Sequence, residues 1–343
     1  MARPTLKDVA ARSGYALRTG KKVMSGDPTV RDKTRETVLQ AAAELSYTPN
    51  RAASALGKQK QINLAVVYSK PSEIYFSDLE AGFQRCAGEL FDYGLNLQYF
   101  TTADPGWEAQ CAILRSLLDR DDVSGVIVQP VSENKLDPCI DALVQRGIPV
   151  VTVGSDAPGS RRLCFVGCDA VRSGRIGGQL LAAYTGGRGQ TLVISDQSDQ
   201  EQARKRAKGL AARLKECHPQ MTLYQPTVEE RTLTPSALTR KLLAENAVSG
   251  LFCTSGNNTI TTGQLLRELN APQISLVGFD LSPASSALMK DGWIQVILDQ
   301  KPDIHAYEAV KILFSFIANG TCPKPVCTLP IYLYTSECLS TSD

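Results

Sequence analysis

The sequence predicts an all-α amino-terminal module followed by an α/β region of two lobes, each a doubly wound parallel sheet. The 343 residues exceed the ~150 that one compact domain uses. The first 60 residues show short helical patterns and carry 12 Lys and Arg against 5 Asp and Glu, whereas the remainder is net acidic. From Ile62 onward, continuous apolar segments alternate with amphipathic ones, which is typical of parallel α/β folds.

The composition excludes several classes of protein. Apolar residues make up 43% and charged residues 21% of the chain, which is globular usage and argues against disorder. The sequence contains no run of the ~20 apolar residues that span a bilayer, and its amino terminus lacks the apolar segment of a signal peptide. We therefore expect a cytoplasmic protein that does not enter a membrane.

The ten cysteines are predicted to be reduced core thiols, because most lie inside apolar runs and no two form a C-x-x-C pair. The two histidines, His218 and His305, are far apart in the sequence. A zinc site or a cysteine-histidine nucleophile needs these residue types in a cluster. The sequence therefore predicts no metal site and no cofactor.

The amino-terminal module, residues 1–48, contains three predicted helices. The first follows Thr5, a plausible N-cap, and ends at Gly14; the second covers Leu17 to Met24. The third covers the segment RDKTRETVLQAAAELSY, in which one apolar stripe is formed by Val38, Leu39, Ala42 and Leu45. Residues 49–61, PNRAASALGKQKQ, join the two regions: Pro49 stops the preceding helix, RAASAL can form one marginal helical turn, and GKQKQ is polar enough to be a linker.

The α/β region, residues 62–343, contains ten strand candidates. They are INLAVVY, NLQYF, GVIVQ, PVVTV, LCFVG, TLVIS, MTLYQ, GLFCT, ISLVGF and WIQVIL. Ten strands exceed one comfortable open sheet, so two lobes that face each other across a cleft are expected. We place the first lobe at about 62–156 and 290–320, and the second at about 157–289 and 321–343.

Two short helices joined by a turn at Gly14, in a cationic module, fit a helix-turn-helix that binds DNA. The early residues of the second helix would face base edges in the major groove. Arg18 can grip guanine with two hydrogen bonds, while Tyr15 and Leu17 offer mainly apolar contact. Thr19, Lys21 and Lys22 suit phosphates. The alternative is a helical bundle with an ordinary solvated cationic face.

Four spaced motifs in this module resemble the headpiece of the lactose/galactose repressor (LacI) family. They are T-L-K-D-V-A-A-R-S-G from Thr5, V-M-S-G from Val23, V-R-D-K-T-R-E-T-V from Val30 and L-S-Y-T-P-N from Leu45. The resemblance implies a homodimeric bacterial transcription regulator, of repressor type, that reads a palindromic operator in double-stranded DNA.

The same resemblance implies a set of DNA-binding residues. In this family the segment RAASAL is a hinge helix whose leucine, here Leu56, wedges into the minor groove. The alternative is a plain linker leucine. The complete expected set is Thr5, Tyr15, Leu17, Arg18, Thr19, Lys21, Lys22, Asn50, Arg51, Ser54 and Leu56.

The second helix departs from the family pattern at two positions. Ala16 stands where a hydroxyl N-cap is usual, which costs ~1 kcal/mol. Gly20 replaces a packed valine in the middle of the helix, which costs ~1 kcal/mol in helix propensity. A loosely held recognition helix is therefore expected.

The region from Ile62 is similar to periplasmic-binding-protein-like (type I) sensor domains of the same family and to ribose-type sugar binders. The motifs that carry this similarity are V-G-C-D, R-K-R-A-K-G-L, S-G-N-N-T-I-T-T-G, V-G-F-D and L-D-Q. They imply a small sugar or polyol effector in the cleft, bound by hydrogen-bonding side chains and by aromatic rings. The expected ligand-binding set is Tyr75, Phe76, Asp156, Arg206, Asn257, Asp280 and Gln300.

Other readings of this set stay open. Tyr75 and Phe76 could be core residues, and Asp280 could cap a helix. Gly154 and Ser155 stand where ribose binders carry an Asp-Arg pair, which disfavours ribose itself, and Asn258 stands where the family commonly has aspartate.

Signs of an enzyme are weak, and we expect none. The glycine clusters GGRGQ and GRIGG fit neither a P-loop nor a dinucleotide fingerprint. The alternative function is a sugar-binding or sugar-modifying protein whose headpiece has lost operator recognition. The final segment TSECLSTSD has no heptad repeat, so a dimer is expected rather than a tetramer.

Overall fold

The computed structural model describes residues 6–24, 30–45, 61–69, 73–102, 106–195, 201–227, 229–245 and 247–339. The chain forms two compact units. One comprises the residues up to Gln61 together with Leu90–Gly94, and the other comprises Ile62–Glu89 and the chain from Leu95 onward.

The amino-terminal unit contains three helices, α1 (Leu6–Ser13), α2 (Leu17–Met24) and α3 (Asp32–Glu44). Their shared core is formed by Val9, Val23, Val38, Ala41 and Ala42. Three helices this short are stable only through such packing.

Two details of this unit bear on the sequence predictions. Gly14 ends α1 with φ of +73°, a conformation that favours glycine. Leu39, predicted to lie in the apolar stripe of α3, is 47% exposed, so that assignment is wrong. The core instead contains Ala41, because the buried face of α3 is centred on Val38 and its neighbours one turn later.

The second unit contains two six-stranded sheets within its described residues. The first sheet has the order β11-β5-β4-β3-β1-β2, and the second β12-β10-β9-β8-β6-β7. The strands are β1 (Ile62–Ser69), β2 (Leu95–Thr102), β3 (Gly125–Val128), β4 (Val150–Val153), β5 (Cys164–Cys168), β6 (Gly189–Ile194), β7 (Met221–Leu223), β8 (Gly250–Cys253), β9 (Ser275–Phe279), β10 (Val296–Asp299), β11 (Val326–Leu329) and β12 (Tyr332–Tyr334).

Helices cover both faces of each sheet, as expected for a doubly wound fold. They are α4 (Glu73–Leu90), α5 (Trp107–Ser116), α6 (Asp137–Gln145), α7 (Ala170–Tyr184), α8 (Glu201–Cys217), α9 (Pro235–Ala244), α10 (Gly256–Glu268), α11 (Pro283–Lys290) and α12 (Pro302–Asn319). Three short 3₁₀ turns are also described, at Phe91–Tyr93, Glu230–Thr232 and Ser336–Cys338.

The predicted fold class is confirmed, and each of the ten predicted strands is present. The sequence missed β11 and β12, which are edge strands with half-buried or exposed residues and therefore lack a continuous apolar run. β12 pairs antiparallel to β10, whereas the other strand pairs are parallel.

The strand pairing also differs from the expected lobe limits. β5 pairs with β4, so the first sheet extends to Cys168, and β10 belongs to the second sheet although it lies within 290–320. β11 pairs with β5 in the first sheet although it lies within 321–343. We use lobe 1 for 62–89 and 95–168 with 302–329, and lobe 2 for 170–299 with 332–339.

The chain passes between the lobes three times in the described residues. These crossovers follow β5, β10 and β11, and each is only a few residues long. Short connections at the edge where the strand ends of both sheets meet are the natural position for a hinge.

The prediction that all ten cysteines are reduced core thiols is wrong for several of them. Cys111 on α5 and Cys139 on α6 form a disulfide within the core of lobe 1, with their Cα atoms 6.0 Å apart. Packing of two helices brings them together, and their separation of 28 residues gave no sign of it. Three cysteines are exposed, namely Cys217, Cys322 and Cys338.

Candidate functional site

Helix α2, the predicted recognition helix, presents Leu17, Arg18 and Lys22 on an exposed face. Thr19 is half-buried, and Tyr15 packs against the three-helix core, which leaves it less free to reach a base edge. These residues stay predictions as DNA contacts.

Helix α2 forms despite its two unfavourable residues. The backbone carbonyl of Ala16 accepts hydrogen bonds from the amides of Thr19 and Gly20 at 2.8 and 3.1 Å, so the first turn closes without a side-chain cap. Gly20 is buried in the module. Packing rather than intrinsic propensity therefore holds the helix.

Several predicted DNA contacts cannot be placed. The side chain of Lys21 lies outside the described residues, as do five whole residues of the expected set. These five are Thr5, Asn50, Arg51, Ser54 and Leu56.

Three buried side chains form the candidate ligand site: Arg206 and Asp280 of lobe 2, and Gln300 in the crossover that follows β10. We call these three residues the polar cluster. Arg206 Nη1 donates to the carbonyl of Thr254 at 2.6 Å, and Nη2 donates to Gln300 Oε1 at 2.5 Å. Gln300 Nε2 donates to Asp280 Oδ1 at 2.8 Å. One glutamine thus bridges a guanidinium and a carboxylate that both lie under 10% exposed.

In the polar cluster, burial disfavours both charged groups, and each charge offsets part of that effect on the other. Burial lowers the pKa of Arg206, and the nearby Asp280 carboxylate opposes that effect. Burial raises the pKa of Asp280, while Arg206 and the Gln300 hydrogen bond oppose the rise. The Arg206 guanidinium also lies 3.9 Å from the centroid of the Phe279 ring, a cation–π contact strengthened by burial.

Two glycines allow α7 to pack closely against α8, the helix that carries Arg206. A Cβ on Gly174 of α7 would overlap the backbone carbonyl of Arg206 on α8, and one on Gly209 would overlap that of Val171. The two helices therefore pack backbone to backbone. That close approach directs the Arg206 side chain over Phe279, whose ring packs edge-on to Phe252 at 6.0 Å.

Tyr75 approaches the polar cluster from lobe 1. A Cβ on Gly154, where φ is +70°, would overlap the Tyr75 hydroxyl, so the phenol lies directly against the end of β4. Burial and the charge of Asp280 raise the pKa of Tyr75, which keeps the phenol protonated as a hydrogen-bond donor. Of the two predicted aromatic residues, Tyr75 faces the cluster.

Phe76 has the alternative role that the sequence left open. It is 5% exposed and stacks on Tyr68 at 5.5 Å between centroids. It therefore packs in the core of lobe 1, and contacts Tyr75 edge-on at 5.4 Å.

Asp156 is engaged by its own lobe. Its Oδ1 accepts from Thr152 Oγ1 and the Ala157 amide, both at 2.8 Å, and its two oxygens accept from Arg162 Nε and Nη2 at 2.5 and 2.7 Å. Arg162 in turn donates to the Pro325 carbonyl at 2.8 Å. The pair holds the β4–β5 connection to the start of β11, a role that sequence reasoning missed because Arg162 was not considered.

Of the remaining predicted polar residues, Asn257 is exposed and Asp280 is buried. Asn257 is exposed on the first turn of α10, whereas Asn258 is buried and its Nδ2 has no hydrogen-bond partner among the described residues. Ser282 rather than Asp280 caps α11, while the Asp280 carboxylate accepts a hydrogen bond from the backbone of Gly256 at the start of α10, which lowers its pKa in opposition to burial. Asp280 also has φ of +62°, a strained conformation that is common at functional sites.

Cys168 contacts the three crossovers, and sequence reasoning missed it. Its Sγ lies 3.4 Å from the Pro330 carbonyl oxygen, 3.8 Å from that of Gln300 and 3.4 Å from His305 Nε2. Burial raises the pKa of Cys168 to about 12 and lowers that of His305 to about 4. The cysteine and histidine are thus brought together, but as a neutral pair rather than as an activated nucleophile.

Within the part of the chain that the structure describes, no helix is long and apolar enough to cross a bilayer.

Comparison with known proteins supports both units. Residues 64–321 match the model of the periplasmic binding protein domain, and residues 5–50 match that of the bacterial regulatory proteins of the lacI family. Catabolite control protein A from Priestia megaterium is 27% identical over 151 residues, which cover 44% of this chain and 43% of that protein. The HTH-type transcriptional regulator CelR from Thermobifida fusca is 29% identical over 181 residues, half of each chain.

These matches span about half the length of the curated regulators. Among solved structures, a solute-binding protein of an ABC transporter from Burkholderia graminis, in complex with D-arabinose, superposes with a TM-score of 0.73 at 22% identity. The superposition covers 83% of this chain and 98% of that one. At this identity the likeness shows the fold.

Proposed function

The chain belongs to the periplasmic binding protein domain family and has a lacI-type domain at its amino terminus, and from this premise we propose that it is a sugar-responsive, DNA-binding transcription regulator. The observation that carries the proposal is the buried polar cluster, with Tyr75 facing it from the other lobe, in a chain that begins with a helix-turn-helix module.

The DNA-binding part of the proposal rests on charge and on α2. The first 60 residues, which comprise the module and most of the linker, carry an excess of seven positive charges, and such a segment releases counterions when it meets the phosphates of a duplex. Leu17 and Arg18 are exposed early in α2, where a recognition helix contacts bases. We propose that two copies of the chain bind the two halves of a palindromic operator, since a two-fold dimer matches a two-fold site.

The effector part rests on the chemistry of the polar cluster. Arg206 and Gln300 offer donors, and Asp280 and Gln300 offer acceptors, in fixed positions shielded from water. Such an arrangement suits the hydroxyl groups of a neutral sugar, each of which both donates and accepts. Because the guanidinium and carboxylate charges offset each other, this cluster supplies no excess charge for a phosphate or a carboxylate ligand.

The two parts are coupled through the lobes. A sugar held by the polar cluster on lobe 2 and by Tyr75 on lobe 1 favours one angle between the lobes. If that angle changes operator affinity by some factor, the operator changes sugar affinity by the same factor.

The DNA-binding proposal is tested with the full-length protein. Duplexes are selected from a random library, and fluorescence anisotropy compares the enriched duplex with a base-scrambled one over a salt series. We expect a two-fold symmetric sequence preferred by roughly 10³-fold or more. Arg18→Ala should reduce that preference by about ten-fold, whereas Lys22→Ala should weaken both duplexes equally.

Equal affinity for the enriched and scrambled duplexes at every salt concentration would refute the regulator. It would favour the alternative, a sugar-binding or sugar-modifying protein with a degenerate headpiece, for which Gly20 in the middle of α2 is the supporting observation. The effector is sought by calorimetry with D-ribose, D-arabinose, D-glucose and D-galactose. A sugar at 100 times its Kd should stabilise the protein by about 2.7 kcal/mol.

A further inference from the structure

Lobe 1 and lobe 2 are joined by an ion pair between Glu133 and Lys205. Glu133 lies on the loop between β3 and α6, and Lys205 lies near the start of α8. Lys205 Nζ is 2.5 Å from Glu133 Oε1, and the two side chains are 33% and 26% exposed. Partial burial protects this pair from the full screening that a surface pair experiences.

The loop that carries Glu133 is fixed to lobe 1. The fully buried Gln110 donates from Nε2 to the Gln129 carbonyl at 2.8 Å, and its Oε1 accepts from the Val131 amide at 3.1 Å. Because the loop is held at both of these points, Glu133 moves together with lobe 1.

Lys205 has a second carboxylate available on its own helix. Glu201 Oε1 lies 3.9 Å from Lys205 Nζ, one helical turn earlier, and Arg204 binds Glu201 at 2.5 Å. When the lobes separate, Lys205 can therefore exchange Glu133 for Glu201. The ammonium group of Lys205 thus has a carboxylate partner in both arrangements, so the interlobe contact can break and re-form at a small cost in free energy.

Lys205 directly precedes Arg206 of the polar cluster. Successive residues of a helix point about 100° apart, so one residue faces lobe 1 while the next faces the cluster. The ion pair thus acts on the same helical turn that positions the guanidinium.

We propose that Glu133 and Lys205 form a reversible latch that favours the closed arrangement of the lobes, independently of any sugar. The latch sets the fraction of ligand-free molecules whose lobes are closed. It therefore sets how much the apparent affinity for an effector is lowered or raised.

The test uses ligand-free, full-length protein and distances between the lobes. Nitroxide labels are attached through p-acetylphenylalanine at Ser116 and Gln273, exposed residues that precede β3 and β9 at the strand ends remote from the polar cluster. Doubly labelled chains are mixed with excess unlabelled chains, so that distances within one chain are measured by pulsed electron resonance. Glu133→Gln and Lys205→Gln should each lower the closed-to-open ratio about three-fold, the size expected for a partly exposed pair.

The double variant should behave like either single variant, because a latch is lost once. Glu268→Gln is the matched control, since it breaks an ion pair with Arg240 inside lobe 2 and should leave the distance unchanged. Melting curves that stay within a few degrees of the wild type establish that the variants are folded.

Unchanged distances in both single variants would overturn the latch, and so would effects that add in the double variant. Because neither DNA nor sugar is present, these outcomes are separate from the fate of the proposed regulator.

Discussion

Replacing Asp280 by asparagine keeps the shape of the side chain and removes the negative charge near Arg206. Asp280 is 9% and Arg206 7% exposed, so water cannot take over the role of the carboxylate. The guanidinium keeps the Thr254 carbonyl, Gln300 Oε1 and the face of the Phe279 ring. These are dipoles and a quadrupole, and the positive charge remains uncompensated by any of them.

Removing one partner of a direct buried ion pair costs about 3–5 kcal/mol. We take the lower end, about 3 kcal/mol, because Gln300 lies between Asp280 and Arg206, burial already disfavours the charged carboxylate, and the three remaining contacts of Arg206 stay in place. In a folded unit of this size the melting temperature falls by about 2–4 °C per kcal/mol, so a decrease of about 6–12 °C is expected. The same variant should lose sugar binding, since the Asp280 oxygens are acceptors in the proposed site.

The double variant Arg206→Met with Asp280→Asn removes both charges. Neutral replacement of a whole buried pair is often without cost, so its melting temperature should lie within a few degrees of the wild type. Differential scanning calorimetry at one pH measures all three proteins. If Asp280→Asn melts at or above the wild type, or if the double variant melts no higher than Asp280→Asn, the charge compensation inferred for the polar cluster is wrong.

Three more predictions follow from close contacts and burial. Gly174→Ala should destabilise by about 1–3 kcal/mol in chemical unfolding, because its Cβ would overlap the Arg206 carbonyl. Gly88→Ala on the exposed side of α4, whose Cβ would meet no atom within 4 Å, is the control and should leave stability unchanged or raise it by up to about 1 kcal/mol. Gly154→Ala should be rescued in part by Tyr75→Phe, since the phenol oxygen is the atom displaced, and equal melting of the single and double variants would contradict this. Burial lowers the pKa of His305 to about 4 in the fold, against about 6.5 unfolded. Stability should therefore be retained above pH 6.5 and fall as the pH decreases towards 4, and a melting series with His305→Gln should show a shallower fall.

The strands of the α/β region could be predicted because each of the ten is an apolar run bounded by polar turns. Residues such as Val126, Val151 and Leu276 are fully buried, and burial on both faces is what erases alternation from the pattern. β11 and β12 were not predicted, because an edge strand needs no such apolar run. Val326 of β11 and Leu333 of β12 are 47% and 46% exposed. The limits of the lobes depend on which strands pair. Val326 of β11 pairs with Phe165 of β5, and pairing between such distant segments leaves no local pattern in the sequence.

The candidate site could be predicted only in part. Arg206, Asp280 and Gln300 follow from the family resemblance, and the structure brings them into direct contact. The assignment of Asp156 needed knowledge of Arg162, whose side chain binds both of its oxygens. The contacts of Cys168 with the crossovers join segments more than 130 residues apart, so composition and spacing could not have revealed them.

The three crossovers have a consequence for how the protein is made. Helix α12 and strand β11, which complete lobe 1, leave the ribosome only after most of lobe 2 has emerged. Neither lobe can therefore be completed before most of the other has been made, because β12 of lobe 2 follows β11. A chain interrupted near residue 300 would thus release two incomplete sheets with exposed edges, and such a fragment is a ready substrate for chaperones and proteases.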